Sequence, residues 1–151
     1  MMNMKWMRIA VLALIPLAAA CEEDGDGGTD VDPGEDVETI RLTMGSQSVD
    51  ISRGGVVSGT LEIPRGATQL SASFLRANGT SIALPSTGTF QINVTSTNTS
   101  RATVARVSNF VVTLNGLQTG AVGLSVELHH GSHAEVGPHT VNATVLPATD
   151  T

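Results

Sequence analysis

Gly120-Ala121-Val122-Gly123-Leu124-Ser125-Val126-Glu127-Leu128-His129-His130 is the stretch that decides the fold. Val122, Leu124, Val126 and Leu128 fall on one side of an extended chain, with Ala121, Gly123, Ser125 and Glu127 on the other. Strand side chains alternate between two faces, so a period of two marks a strand with one buried face. A helix would repeat its apolar residues every three or four positions. Residues 68–77 follow the same rule: Leu70, Ala72, Phe74 and, by parity, Arg76 share one face, while Ser71, Ser73 and Leu75 share the other.

Outward from these two runs, alternation and turn residues predict further strands over 39–44, 47–52, 56–63, 80–84, 89–95, 101–107, 109–115 and 139–146. Asn78-Gly79 separates two of them and predicts a hairpin with a type I′ turn, in which both central residues take positive φ. Asn115-Gly116 predicts a second turn. Many short strands with no helical window between them define an all-β chain folded as an antiparallel β-sandwich over 39–147, with a short tail at 148–151. The composition agrees, because Val, Thr and Ser suit a pleated, half-buried surface.

The formal net charge of −6 is not a property of this domain. Residues 22–38 carry nine acids and no base, whereas from Thr39 onward five acids face six arginines. The sandwich is near neutral, with no clustered Lys and Arg to displace counterions from phosphates, so nucleic acid is not an expected partner. The acidic stretch EEDGDGGTDVDPGEDVE has almost no apolar residues to offset the entropy of ordering and predicts a disordered, extended spacer. Asp24, Asp26 and Glu35 occupy positions 1, 3 and 12 of a calcium-loop pattern. Gly28 and Thr29 break it at positions 5 and 6, and no helices flank it.

Before the spacer, Lys5 and Arg8 precede an apolar run over 9–20 that ends at Cys21. Twelve residues are too few to span a bilayer, which takes about 20, and the order of parts is that of a secretory signal. Leu17-Ala18-Ala19-Ala20-Cys21 resembles a bacterial lipobox, with Ala18 where leucine is commonest. The resemblance implies cleavage after residue 20 and a diacylglycerol on Cys21, the sole cysteine, whose thiol has no disulfide partner in the chain. The organisation expected is a signal at 1–20, a lipidated cysteine and acidic tether at 21–38, and the sandwich.

Within the sandwich, TQLSASFLRANGTSI at 68–82, then Arg101-Ala102-Thr103-Val104, then Gly116-Leu117-Gln118-Thr119-Gly120-Ala121-Val122, resembles bacterial immunoglobulin-like domains of group 2 over residues 55–146. That resemblance implies an immunoglobulin-like sandwich used in surface display and adhesion, without catalysis. Val94 stands where the family has a core tryptophan, and Leu114-Asn115 reads as an insertion.

All four histidines fall within 129–139. Flanking strands predict a hairpin with residues 131–138 as its connecting loop. Parity places His130 with the inward set and His139 with Val141, Ala143 and Val145; His129 faces outward beside Glu127, and His133 rides the loop. His129, His130, His133, Glu135 and His139 are thus a candidate ligand set for zinc or copper. The plainer alternative is polar residues on an ordinary hairpin, and a pH-sensitive imidazole cluster is a lesser one. No nucleophile-elbow, zincin or phosphate-loop motif occurs, so no enzyme is expected.

Two functions follow. One is a non-catalytic binding or structural module on the cell envelope, outer membrane rather than inner, held by lipid and contacting an envelope or extracellular protein. The alternative is a zinc- or copper-binding lipoprotein using the last hairpin.

Overall fold

The computed structural model describes residues 32–148, so the signal, Cys21, the calcium-like Asp24 and Asp26, and the rest of the tether to Val31 lie outside the described residues. Eleven strands follow one another: β1 (Thr39–Met44), β2 (Gln47–Ser52), β3 (Val57–Ser58), β4 (Leu61–Ile63), β5 (Gly66–Leu75), β6 (Ser81–Ile82), β7 (Phe90–Ser96), β8 (Ala102–Arg106), β9 (Val111–Gly116), β10 (Gly120–His130) and β11 (His133–Val145). Among the described residues, no helix is long and apolar enough to cross a membrane.

Alternation does what the sequence dictates. In β10, Val122, Leu124, Val126 and Leu128 are buried, and in β5 so are Leu70 and Phe74. Arg76 lies just past β5 and is exposed. These faces close on one another as two sheets. One runs β3-β2-β1-β5-β9-β8, with β6 paired to β5, and the other runs β4-β11-β10-β7. In chain order, β1, β5, β7, β8, β9, β10 and β11 occupy the A to G places of a seven-stranded immunoglobulin sandwich, with β1-β5-β9-β8 facing β7-β10-β11. The core is wholly apolar, with no buried polar or charged side chain among the described residues. Val94, on β7, is buried.

The run predicted as one strand over 56–63 is two strands. β3 pairs with β2 in the first sheet, and β4 pairs in parallel with β11 in the second. The chain changes sheets at Gly59, whose φ of +103° suits glycine. It returns to the first sheet at Pro64 and Arg65, packed against Gly116. A Cβ on Gly116 would stand 2.3 Å from the Pro64 carbonyl oxygen. Asn115-Gly116 is therefore not a turn but the end of β9, and the turn lies at 118–119. Glycine is needed there for close backbone approach, a demand that turn statistics cannot separate from a reversal.

The β5–β6 hairpin is present with a different turn. Gly79 has φ +79°, but no residue other than glycine takes positive φ among the described residues, so Asn78 does not. Gly79 N–H donates to Arg76 O, and Arg76 N–H donates to Thr80 O, both at 2.9 Å. This is a type I turn closed by a glycine bulge. Asn78 Oδ1 accepts from Thr80 N–H at 3.0 Å, which explains the asparagine without a positive φ.

The sheet crossing yields a direct test. Gly116→Ala is expected to destabilise the domain by about 2 kcal/mol or more, because the added methyl must displace backbone rather than a side chain. Urea melts of wild type and variant measure it; a change within about 0.5 kcal/mol, the effect at an open surface position, would contradict the crossing.

Candidate functional site

The hairpin that carries the histidines is tighter than its sequence suggests. β11 starts at His133 rather than His139, so residues 131–138 are not a loop; the connection is Gly131-Ser132, with His130 opposite His133. The register between β10 and β11 shifts between Val126 and Leu128, and again between Leu128 and His129. Gly137 sits at this irregularity with φ +103°, its α-carbon so placed that a Cβ would come 2.5 Å from Val126 O. Bulges re-aim side chains, and these bury Val136 opposite Leu128 while leaving Glu135 half-buried.

His130 closes the inward face of β10. Its ring stacks on Phe90, with centroids 4.1 Å apart and planes 11° from parallel. Its Nδ1 lies 2.6 Å from Asp32 Oδ2. The second Asp32 oxygen accepts from Gly34 N–H at 2.9 Å, so Asp32-Pro33-Gly34 forms a side-chain-closed turn over the sheet end. Gly34 is buried against Phe90; a Cβ there would meet the ring at 2.6 Å. Phe90 is covered by the imidazole and by the backbone of residues that the sequence assigned to a solvated spacer.

Residues 32–38 are therefore part of the sandwich end rather than tether. Val37 is fully buried, and Glu38 N–H donates to Leu75 O at 2.9 Å. Arg53, in the turn after β2, fastens this segment. Its Nε donates to Val37 O at 2.8 Å, one terminal nitrogen donates to Gly34 O at 2.7 Å and Glu35 O at 3.0 Å, and the other reaches Glu135 O at 3.3 Å.

The predicted ligand set divides. His130 and Glu135 come together, joined by Asp32, and one donor atom from each lies within 4.8 Å of the others. His129, His133 and His139 are outside this group. His129 faces the outer side, where its Nε2 lies 2.9 Å from Glu127 Oε2, an oxygen that also accepts from Asn93 Nδ2 at 3.1 Å. His139 keeps the parity of Val141, yet its ring packs on Gly55 and its Nε2 lies 3.2 Å from Arg53 O. His133 is exposed at the start of β11. The three imidazoles thus go to three places, because the bulges turn the hairpin between them. Asp32 and Arg53 are the residues that sequence reasoning missed. Asp-Pro-Gly at 32–34 is a turn signature, and an apolar Val37 behind it was the available sign of docking.

Beside the cluster runs an open groove of about 560 Å³, lined by Asp32, Pro33, Pro85, Phe90 and His130 among others. On the outer faces, hydrogen bonding from His129, then from Asn93, holds the Glu127 carboxyl below its usual range. Arg41 does the same to Asp50 through a two-pronged pair at 2.7 Å on each oxygen.

No protein-family model and no curated protein matches the chain. Among solved structures, domains 4 and 5 of the S-layer protein SbsC are 18% identical with a TM-score of 0.41, over 70% of this chain and 65% of that one. Domains 5–6 of the same S-layer protein are 20% identical with a TM-score of 0.39, over 70% of this chain and 45% of that one. The chain spans less than two thirds of each of these structures.

Arg53→Ala is expected to cost roughly 2–3 kcal/mol, since it leaves several carbonyls without their charged donor, and to open residues 32–38 to protease. Arg53→Lys should recover less than half, lacking the fork. Urea melts paired with limited proteolysis read both. Glu127 gives a pH test. Its folded-state pKa lies below the ordinary 4.5, so its contribution is full above that value and disappears as pH falls through the folded pKa. Glu127→Gln is expected to be less stable than wild type by up to about 1 kcal/mol at pH 7, with the difference shrinking as pH falls below 4.5.

Proposed function

We propose that the chain is a lipid-anchored, non-catalytic module of the bacterial cell envelope, a small immunoglobulin-like sandwich that contacts another envelope or extracellular protein. The observation that carries this is the position of Cys21. The sole cysteine stands directly behind a basic start and a short apolar run, within a lipobox-like Leu17-Ala18-Ala19-Ala20 context. Two or three acyl chains there give lasting attachment, since each buried methylene contributes about 0.8 kcal/mol.

The geometry of the domain suits such an anchor. Eleven residues lead from Cys21 to Asp32, a reach of at most about 40 Å at roughly 3.5 Å per residue. The chain enters the sandwich beside His130, so the Gly131-Ser132 end is the one to which the tether attaches. The turns at 45–46, 97–100 and 117–119 lie at the other end, and these are the surfaces for a protein partner. Their polar residues offer hydrogen bonds without an aromatic platform.

In a bacterial host, an alkyne-tagged palmitate is expected to label the wild-type protein, which sediments with membranes, while Cys21→Ala is unlabelled and leaves the membrane fraction. Photo-crosslinkers at Ser46 or Gln118 should capture a discrete envelope protein in intact cells, and one at Ser132 should not. Label that persists in Cys21→Ala, or is absent from wild type, overturns the anchor; equal crosslinking from both ends overturns the partner surface.

A further inference from the structure

We propose that Asp32, His130 and Glu135 bind one divalent transition-metal ion of the zinc class, and that the ion fastens the segment before β1 to the end of the last hairpin. The three donors come from separate parts of the chain: the turn before β1, the end of β10 and the start of β11. Their donor atoms already lie within 4.8 Å of one another, and each residue is half-buried rather than splayed into solvent.

The donor chemistry selects the ion class. One imidazole nitrogen favours zinc and its neighbours over calcium or magnesium, which prefer all-oxygen cages. Two carboxylates neutralise a divalent charge. Three protein ligands with water in the fourth place is a common tetrahedral arrangement for zinc. With bonds of about 2.0–2.1 Å, tetrahedral ligand atoms stand about 3.3 Å apart. Asp32 Oδ2 and His130 Nδ1, now 2.6 Å apart, need only separate slightly, the ion taking the place of the proton they share. The imidazole binds as a neutral ring whose one proton sits on Nε2, so a net proton leaves to solvent only from a ring that was charged beforehand, and no electron is transferred.

The surroundings hold the donors ready. Phe90 fixes the plane of the His130 ring by stacking. Gly34 N–H orients the Asp32 carboxylate through its other oxygen, and Arg53 grips Gly34 O on one side and Glu135 O on the other. Such supporting contacts remove ordering cost before the ion arrives. Because the path from Asp32 to His130 is 98 residues long, a bound ion would cross-link distant segments where the residues before β1 join the sandwich. The site stands on residues 32–135 alone and does not rest on lipidation of Cys21.

Calorimetry decides it, using the full chain purified in detergent, stripped with chelator and titrated with zinc chloride. One site per chain is expected. Asp32→Asn, His130→Gln and Glu135→Gln should each weaken binding roughly tenfold or more, whereas His129→Ala and His133→Ala should leave it unchanged. Cobalt substitution should give the intense visible bands of a tetrahedral site in wild type and lose them in His130→Gln. Thermal melts without metal establish that each variant is folded, and zinc should raise the midpoint of wild type, His129→Ala and His133→Ala more than that of the three donor variants. Absence of saturable heat overturns the proposal and leaves Asp32–His130 as a plain hydrogen-bonded clasp. Weakening by His133→Ala as large as by His130→Gln also overturns it, since the ion then sits on exposed histidines.

Discussion

The Arg53 guanidinium is the constraint on which the arrangement of this sandwich end depends. Residues 34–37 run outside both sheets, so their carbonyls have no ladder partners, and backbone acceptors at a half-buried surface must be satisfied elsewhere. One planar, permanently charged fork satisfies three of them and reaches the Glu135 carbonyl as well. Only with that segment held down can Val37 enter the core, Gly34 cover Phe90 and Asp32 meet His130. A lysine could supply the charge but not the simultaneous directions.

Elsewhere the domain is held by shape. The inner faces are Val, Ile and Leu with few aromatics, of which Phe74 and Phe110 meet edge to face at 5.0 Å. Without a buried polar side chain among the described residues, register is specified by alternation, which a one-residue slip would invert, and by glycines where backbones approach closely. Gly116 against Pro64 and Gly137 against Val126 are such points. They fix where the chain changes sheet and where the last hairpin bulges. No disulfide is required, because two fully covered faces bury enough apolar surface.

What was legible in the sequence follows from the same physics. β1, β2 and β10 coincide with the predicted 39–44, 47–52 and 120–130 because period-two burial is written residue by residue. The division of 56–63 was not legible, since alternation continues across Gly59 while the pairing partner changes. The predicted loop at 131–138 became strand for a similar reason: a bulge hides the period, and Gly137-Pro138 imitates a turn. Residues 32–38 read as spacer because only Val37 is strongly apolar there, and their docking depends on an arginine 16 to 19 positions away. Of the candidate ligands, His130 and Glu135 converge while the other histidines diverge, a separation set by bulge geometry that strand parity cannot foresee.

The chain enters the sandwich beside the β10–β11 turn and leaves it beyond Val145, which pairs with Gly120 at the opposite end of that hairpin. Tension applied between the segment before Asp32 and the segment after Leu146 would therefore act along the strands instead of across them. The parallel contact of β4 with β11, three residue pairs long, would be sheared as a group rather than unzipped one hydrogen bond at a time. A domain threaded this way is loaded along its strands, and the clasp around Arg53 is the first set of contacts in the path of that load.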